Sequence, residues 1–516
     1  IFTLYSVVQK YLNKQGQKLY VAFVDFKKAF DSVRHNVLLN AINTEGITGK
    51  FFISLMSMYN SLISCVRVNG DFSDFFDCPV GVRQGCILSP TLFSLVINTL
   101  AKHMNENGKH GVQLLPGLLE LFILLFADDV ALVSTTPSGL QNQLNVLKNC
   151  CDQLKLQVNE EKTKVMVFRK GGYLSKHEKW NFNGTVLEVV NKYCYLGFTF
   201  TTKLSTKLGT NHLVSKAKKA LMYFLRIFQR CKDISKDVFF KIFDAKIQSI
   251  LLYSCEIWGL QKLDSIERVH LLACKRFLNV PLKTPNKLIY GELGRYPLYI
   301  NTFVRCVKFW FRLLLLEHDR LPWQAYQMLL LMDTNGKRCW ATCIREILSS
   351  TGFYFVWLNQ GVGDIAKFIM VFRQRLIDIY RQEWWGSIRN KERYFVYNLF
   401  KTAFQSERYL STIDIYCFRV AFSQVRLNAL PINANIHRYS ENIALKYCVF
   451  CKDVIENEHH MIYVCPLYSD LRNRFIEQYV KYSISHLLNG VNTKTAFDVG
   501  KFVFYAIRKR VDYMDN

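Results

Sequence analysis

The sequence predicts an α+β domain over about residues 1–200, then a run of helices, then a small cysteine-rich module near the C-terminus. Three observations carry that division. Apolar strands alternate with amphipathic helices through the first 200 residues. The stretch 205–280 and much of 300–430 keep only the helical period. Cys448, Cys451, His460 and Cys465 then stand close together at the spacing of zinc ligands.

Composition narrows the function classes. With 516 residues the chain has room for roughly three domains of ~150 residues, each with its own core. Half of the residues are hydrophobic, which excludes a disordered chain. Lys and Arg number 67 against 41 Asp and Glu, a net charge of +26 that favours a polyanionic partner, nucleic acid first. A membrane surface is the rival, but the longest apolar runs, such as Leu121–Ala127, fall well short of the ~20 residues a spanning helix needs. No signal or targeting segment is visible and the 16 cysteines are scattered, so a reduced, intracellular setting is expected. The chain opens inside a helix-like pattern (Ile1, Leu4, Val7, Val8, Leu12), which predicts a fragment whose true N-terminus lies upstream.

The elements follow in order. "KLYVAFVDFKKAF" (18–30) reads as a strand ending near Asp25, and "DSVRHNVLLNAI" as a helix with Asp31 at its N-cap. A second helix covers about 48–63, and "SCVRVNGDFSDFF" is a hairpin turning at Asn69-Gly70. "GVRQGCILSPTLFSLVINTLAKHM" is a glycine-punctuated loop entering a helix, with Ser89 as N-cap and Pro90 in the first turn. Residues 119–135 form two short strands joined at Asp128-Asp129. An amphipathic helix starts at Ser138, and "KTKVMVF" is a further strand.

Asp128 and Asp129 interrupt the apolar run "LLFADDVALVS". Two adjacent like charges in apolar surroundings repel and are costly to bury. Neighbouring strands of one sheet would bring them to Asp25, where Mg2+, a hard cation with oxygen ligands, would offset the repulsion. Taken alone, an Asp-Asp pair is more often a solvated turn.

Context changes that balance. "FVDFKKAFD", "GVRQGCILSPTLF", "LLFADDVALV", "LQVNEEKTKVMVF" and "YCYLGFTF" occur in this order. Together they resemble the palm and fingers of reverse transcriptases, in particular those of LINE-type, non-LTR retrotransposons. The likeness extends to the helical region and the Cys/His cluster.

The resemblance implies specific roles. Asp25 and Asp128 would be ligands of two Mg2+ ions, assisted by the backbone carbonyl of Phe26, with Asp129 a weaker or more distant ligand. Phe30 would be the aromatic gate that excludes a ribose 2′-hydroxyl; on composition alone it is a core residue. Gln84 would touch the nucleotide or template, Arg83 would add charge, and Gly81 and Gly85 would let the backbone approach. Lys162 would stand near the incoming triphosphate. Tyr195-Leu196-Gly197 would form the hairpin under the primer end.

From Val189 to Lys232 there is no acidic residue. Lys216, Lys219, Arg226 and Arg230 share one helical face, with Val214, Ala217, Leu221, Phe224 and Phe228 on the other, the pattern of a helix tracking a nucleic-acid backbone. Its bland reading is a solvated face. "LLYSCEIWG" and "TPNKLIYGELGRYPL" resemble segments that follow the thumb and carry no assignable chemistry. Trp384 and Trp385 read as core, with base stacking the alternative. Cys448, Cys451, His460 and Cys465 would hold a structural Zn2+, with His459 able to replace His460. The bland reading is chance among 16 cysteines.

The resemblance therefore implies a right-hand polymerase with an antiparallel palm sheet. Partial fingers and palm would span 1–200, a helical thumb 201–300, a helical connector 301–445, a zinc-binding module 446–475 and a helical tail 476–516. It implies RNA-directed DNA synthesis in target-primed reverse transcription, with template RNA, DNA primer or target DNA and dNTPs as partners, no membrane, and the nucleus and cytoplasm as setting. Upstream fingers strands and an endonuclease lie outside this sequence, and no restriction-like nuclease pattern follows Cys465. This fragment alone is therefore expected to polymerise weakly or not at all. The rival readings are a relic that only binds nucleic acid and an intron maturase. The intact site residues speak against the first, the post-thumb segments and Cys/His pattern against the second.

Overall fold

The computed structural model describes residues 1–107, 110–117, 120–231, 234–389, 391, 394–490 and 492–515. It divides into two compact units, one of residues 1–210 and 310–346 and the other of 211–309 and 347–516. The 301–445 stretch thus does not stay together, because part of it returns to the first unit.

Five strands make the central sheet of the first unit: β1 (Leu19–Val24), β2 (Ile123–Phe126), β3 (Asp129–Ser134), β4 (Lys164–Phe168) and β5 (Glu188–Val189). Their order is β5-β4-β1-β3-β2, antiparallel throughout except for β4 with β5. β1 is central and wholly buried, which accounts for its unbroken apolar run instead of an alternating one. Tyr20, Ala22 and Val24 join Val130, Leu132, Val165 and Val167 in a core shared with Leu92, Phe93, Leu140 and Leu144 of two helices, Ser89–Asn107 and Pro137–Leu154. The opposite face is covered by the hairpin 192–201, against which the helix Phe2–Leu12 packs. Tyr193 stacks on Phe23 at 4.3 Å, and Tyr5 meets Phe198 edge-on at 6.3 Å. Each such side chain contributes about 1.5–3 kcal/mol on burial, so a charge placed at Phe23 would part the hairpin from the sheet.

The hairpin turns at Leu196 and Gly197, both left-handed, as a two-residue loop requires. The Asn69-Gly70 turn forms as the sequence predicts, between Arg67–Val68 and Asp71–Phe72, again with both residues at positive φ. Two caps differ from expectation. The helix predicted from Asp31 instead has a short turn at Ala29–Ser32 and begins its long run at His35, since the Asp31 carboxylate is drawn to Gln84. Ser89 opens its helix, but its hydroxyl donates back to the Arg83 carbonyl at 2.6 Å. Thr136 caps the next helix, accepting from the Gly139 N–H at 3.0 Å.

Residues 310–346 belong to the first unit through aromatic packing. Trp340 meets Phe2 edge-on at 5.1 Å and donates its backbone N–H to Gln9 Oε1 at 3.0 Å. The buried Trp310 indole donates to the Tyr326 hydroxyl at 2.8 Å.

The second unit is helical. Phe228, Phe239, Phe240 and Phe277 form one aromatic cluster. Trp384 is core, its N–H donating to the Lys287 carbonyl at 2.8 Å; Trp385 is half-buried beneath the Arg389 guanidinium. Arg426 is buried with Glu292 and Glu407. The helix Thr493–Asp515 lies along Tyr416–Arg426 at a glycine contact, where a Cβ on Gly500 would stand 2.6 Å from the Phe418 carbonyl. Among the described residues no helix is long and apolar enough to cross a membrane.

Candidate active site and Cys/His cluster

Val24 faces Val130 across the β1–β3 ladder, so Asp25 and Asp129 come next on the same two strands. Asp128 fills the turn between β2 and β3 behind Ala127, whose backbone is left-handed. Burial, then the charges of Asp128 and Asp25, push the Asp129 carboxyl above its usual range. Burial and then the same carboxylates, Asp129 and Asp25, raise the Tyr193 phenol to about 12. The sheet therefore gathers three acids at one edge and makes one of them resist ionising.

A loop from residues 157–163 is stitched to this edge. Lys27 donates its N–H to the Gln157 carbonyl and Asn159 donates to that of Asp25, both at 2.7 Å. Phe26 and Val158 then face each other as a pair without mutual bonds, and strand alternation turns the Phe26 carbonyl toward the β3 side, where the acids stand. Asp25 donates its N–H to Thr163 Oγ1 at 3.2 Å. The Asn159 side chain accepts from the Lys162 N–H at 3.3 Å. These bonds deliver the Lys162 ammonium to 3.8 Å from Asp25 Oδ2.

The loop after Val80 docks beside Phe30. Phe30 and Val33 accept through their carbonyls from the N–H groups of Val82 (2.9 Å) and Gly81 (2.8 Å). Gly81 has φ +92, and a Cβ there would lie 3.1 Å from the Asp31 carbonyl oxygen, so the close approach needs glycine. The half-buried Phe30 ring stacks on Phe93 at 4.3 Å. Gln84 Nε2 donates to Asp31 Oδ1 at 2.7 Å, while Arg83 and Gly85 are exposed.

On the helix Thr206–Arg230, Lys216, Lys219, Arg226 and Arg230 are exposed. Ala217, Leu221, Phe224 and Phe228 are buried and Val214 is half-buried, much as the periodicity predicts. Met222, Tyr223 and Ile227 are exposed among the cations.

The second unit brings Cys448, Cys451, His460 and Cys465 together, their ligand atoms within 4.8 Å of one another. Cys465 Sγ lies 3.8 Å from that of Cys448 and 3.9 Å from that of Cys451. Tetrahedral bonds of ~2.3 Å place sulfurs about 3.8 Å apart, so the thiols already have zinc geometry. His460 is buried with neither ring nitrogen hydrogen-bonded, whereas the His459 ring lies tilted against Tyr463 at 4.9 Å. The donor set fits zinc with His460 as fourth ligand. Arg472 donates to the Cys465 carbonyl at 2.6 Å, and Arg510 binds Glu456 at 2.6 Å, tying the cluster into the unit.

Asn159 and Thr163 brace the carboxylate edge without being singled out by sequence pattern, and Asp31, read there only as a helix cap, holds Gln84. Asn159 and Thr163 flank Lys162 in "NEEKTK", the only signal that could have found them.

Residues 2–200 match the family model described as reverse transcriptase (RNA-dependent DNA polymerase). Over 208 residues the chain is 27% identical to the retrovirus-related Pol polyprotein from type-1 retrotransposable element R2 of Nasonia vitripennis, covering 39% of this chain and 20% of that protein. Over 286 residues it is 25% identical to the RNA-directed DNA polymerase from mobile element jockey of Drosophila melanogaster, covering 53% and 30%. A solved structure of apo telomerase from Candida tropicalis, truncated from its C-terminal domain, is similar with TM-score 0.29 and 18% identity over 39% of this chain and 37% of that one. The chain thus spans between 20% and 30% of the length of these two curated relatives. The three acids, Lys162 and the Gln84 loop all lie inside the matched span, and residues 2–200 form a reverse transcriptase domain related to those of the R2 and jockey mobile elements.

Proposed function

We propose that the chain is an RNA-directed DNA polymerase of the non-LTR retrotransposon kind, acting in target-primed reverse transcription. One observation carries the reading. Asp25 directly follows β1 and Asp129 opens the neighbouring strand β3, with Asp128 beside them and Lys162 3.8 Å from Asp25. Oxygen ligands of this kind suit Mg2+, and Asp25, the Phe26 carbonyl, Asp128 and Asp129 would hold two ions, which when bound activate a 3′-hydroxyl and stabilise departing pyrophosphate.

The remaining residues have separable tasks. The Phe30 ring fills the space a 2′-hydroxyl needs and so selects dNTPs. Gln84, Arg83 and Gly85 border the nucleotide and template. The Lys162 ammonium faces the triphosphate and protonates the leaving pyrophosphate. The Tyr195–Gly197 turn supports the primer end. Lys216, Lys219, Arg226 and Arg230 follow the template–primer phosphates. Cys448, Cys451, His460 and Cys465 hold a structural Zn2+, and their module helps bind element RNA or target DNA. The protein works in the nucleus and cytoplasm.

Primer extension on poly(rA)/oligo(dT) with Mg2+ tests the reading, alongside binding of the same duplex. A version with the upstream fingers strands restored should extend the primer, and the chain alone should extend it weakly or not at all. The double substitution Asp128→Ala, Asp129→Ala should abolish extension and keep binding. If even the restored version binds the duplex tightly and never extends it, a nucleic-acid-binding relic replaces the polymerase.

A further inference from the structure

Two adjacent cavities in the second unit, of about 590 and 490 Å³, share Asp244, Gly294 and Arg295 and so form one groove. Lys236 and Lys241 line one end, Arg305 and Arg373 the other, with Arg295 between. Its two acids are already engaged. Asp237 lies 3.3 Å from the Lys236 ammonium, and Asp244 accepts from both terminal nitrogens of Arg295 at 2.5 and 3.1 Å. Lys241, Arg305 and Arg373 thus have no spare acid among the described lining residues.

The groove is a built feature. The Arg295 guanidinium lies over Phe240 at 4.4 Å and donates through Nε to the buried His270 at 3.1 Å. His270 in turn faces Glu267 Oε1 at 2.8 Å. Gly294 has φ +63, and a Cβ there would fall 2.3 Å from the Ser406 nitrogen, so glycine alone lets that wall close. Lys236 donates to Ser406 Oγ at 2.7 Å across the same wall. A π-helical turn, Phe243–Gln248, carries Asp244 and Gln248 into the lining; such turns are rare and concentrate at functional sites.

We propose that this groove holds a single nucleic-acid strand by its phosphates. Cations at both ends and neutral donors between them, Gln248 and Asn301, match a chain of anions instead of one bound ion. The two aromatic rings in the described lining are both covered, Phe240 by the Arg295 guanidinium at 4.4 Å and Tyr296 by Phe404 at 4.9 Å, so bases are not read by stacking there and binding is independent of sequence. The net charge of +26 and the reverse transcriptase domain favour nucleic acid over an acidic peptide. The inference goes beyond the proposed polymerisation and leans on it only for the choice of polyanion.

Binding of fluorescent U12 RNA to the full chain, measured across a salt series, tests it. Lys241 and Arg373 are both exposed, so the double variant Lys241→Glu, Arg373→Glu should keep the wild-type melting temperature. It should bind U12 at least tenfold more weakly, with a salt slope smaller by about 1.4, the share of two single-strand phosphates. The conservative pair Lys241→Arg, Arg373→Lys should bind as wild type, and Arg373→Gln alone should lose affinity several-fold. The Asp128→Ala, Asp129→Ala variant should bind U12 normally whether or not the wild type polymerises, which separates this inference from the polymerase reading. Unchanged U12 affinity and slope in the charge-reversed variant would overturn the groove as a strand site. Equal displacement of U12 by polyglutamate of matched charge would assign it to an acidic peptide instead.

Discussion

Glu178 and Asp129 are two carboxylates of the same unit that the fold pushes in opposite directions. Burial alone would raise Glu178, but the Lys18 ammonium at 2.7 Å, the Tyr20 hydroxyl at 2.8 Å and the Ser175 N–H at 2.6 Å outweigh it and hold the group below its usual range. A depressed carboxyl adds stability above its unfolded value, near 4.5, and loses it as pH falls through the folded value. Glu178→Gln should therefore cost about 1–2 kcal/mol at neutral pH and flatten the acid limb of a melting-temperature profile between pH 3 and 7. For Asp129, raised by burial and its acidic neighbours, ionisation works against the fold, so stability falls as pH rises through its pKa. Asp129→Asn should melt higher than wild type in chelator while losing extension. At Phe30, a change to Val should admit ribonucleotides, read as at least a tenfold fall in the dNTP-to-rNTP ratio of kcat/KM.

Among elements, the loop 157–163 and the Gly81–Gly85 loop decide how far the carboxylate edge becomes a site. Thr163→Val removes the acceptor of the Asp25 N–H inside a fully buried position. Extension should fall about tenfold with the melting temperature little changed, a split that a merely structural role would not give. Much of this scale was legible beforehand. The run "LYVAFV" announced a strand, and the Asp-Asp turn announced its neighbour, because both depend on local pattern. The misread caps had a different cause. Asp31 and Ser89 are good helix-start chemistry, yet their side chains serve Gln84 and the Arg83 carbonyl, partners that a local window cannot supply. The Thr163 bond spans 138 residues and the Lys18–Glu178 bond 160, so neither left a periodic trace. The Cys/His cluster was readable because its four members lie within 18 positions, and its spacing is itself the geometry.

At the scale of the whole molecule, the chain crosses between its two units at 210, 309 and 346. The cluster belongs wholly to the second. Metal analysis should find one zinc per chain, and strong chelators should lower the melting of the second unit while the first keeps its own transition. Ser at Cys448 or Cys465 should do the same, since both are buried and a metal bond there is folding energy. A single transition that ignores chelation would remove zinc from the account of stability. The return of 310–346 to the first unit has a practical meaning as well. A fragment cut at residue 200, where the family match ends, would keep the three acids and discard Trp310, Tyr326 and Trp340. The Phe2–Leu12 helix would be left with a bare greasy flank, and the excised fragment would clump in solution before it could be assayed.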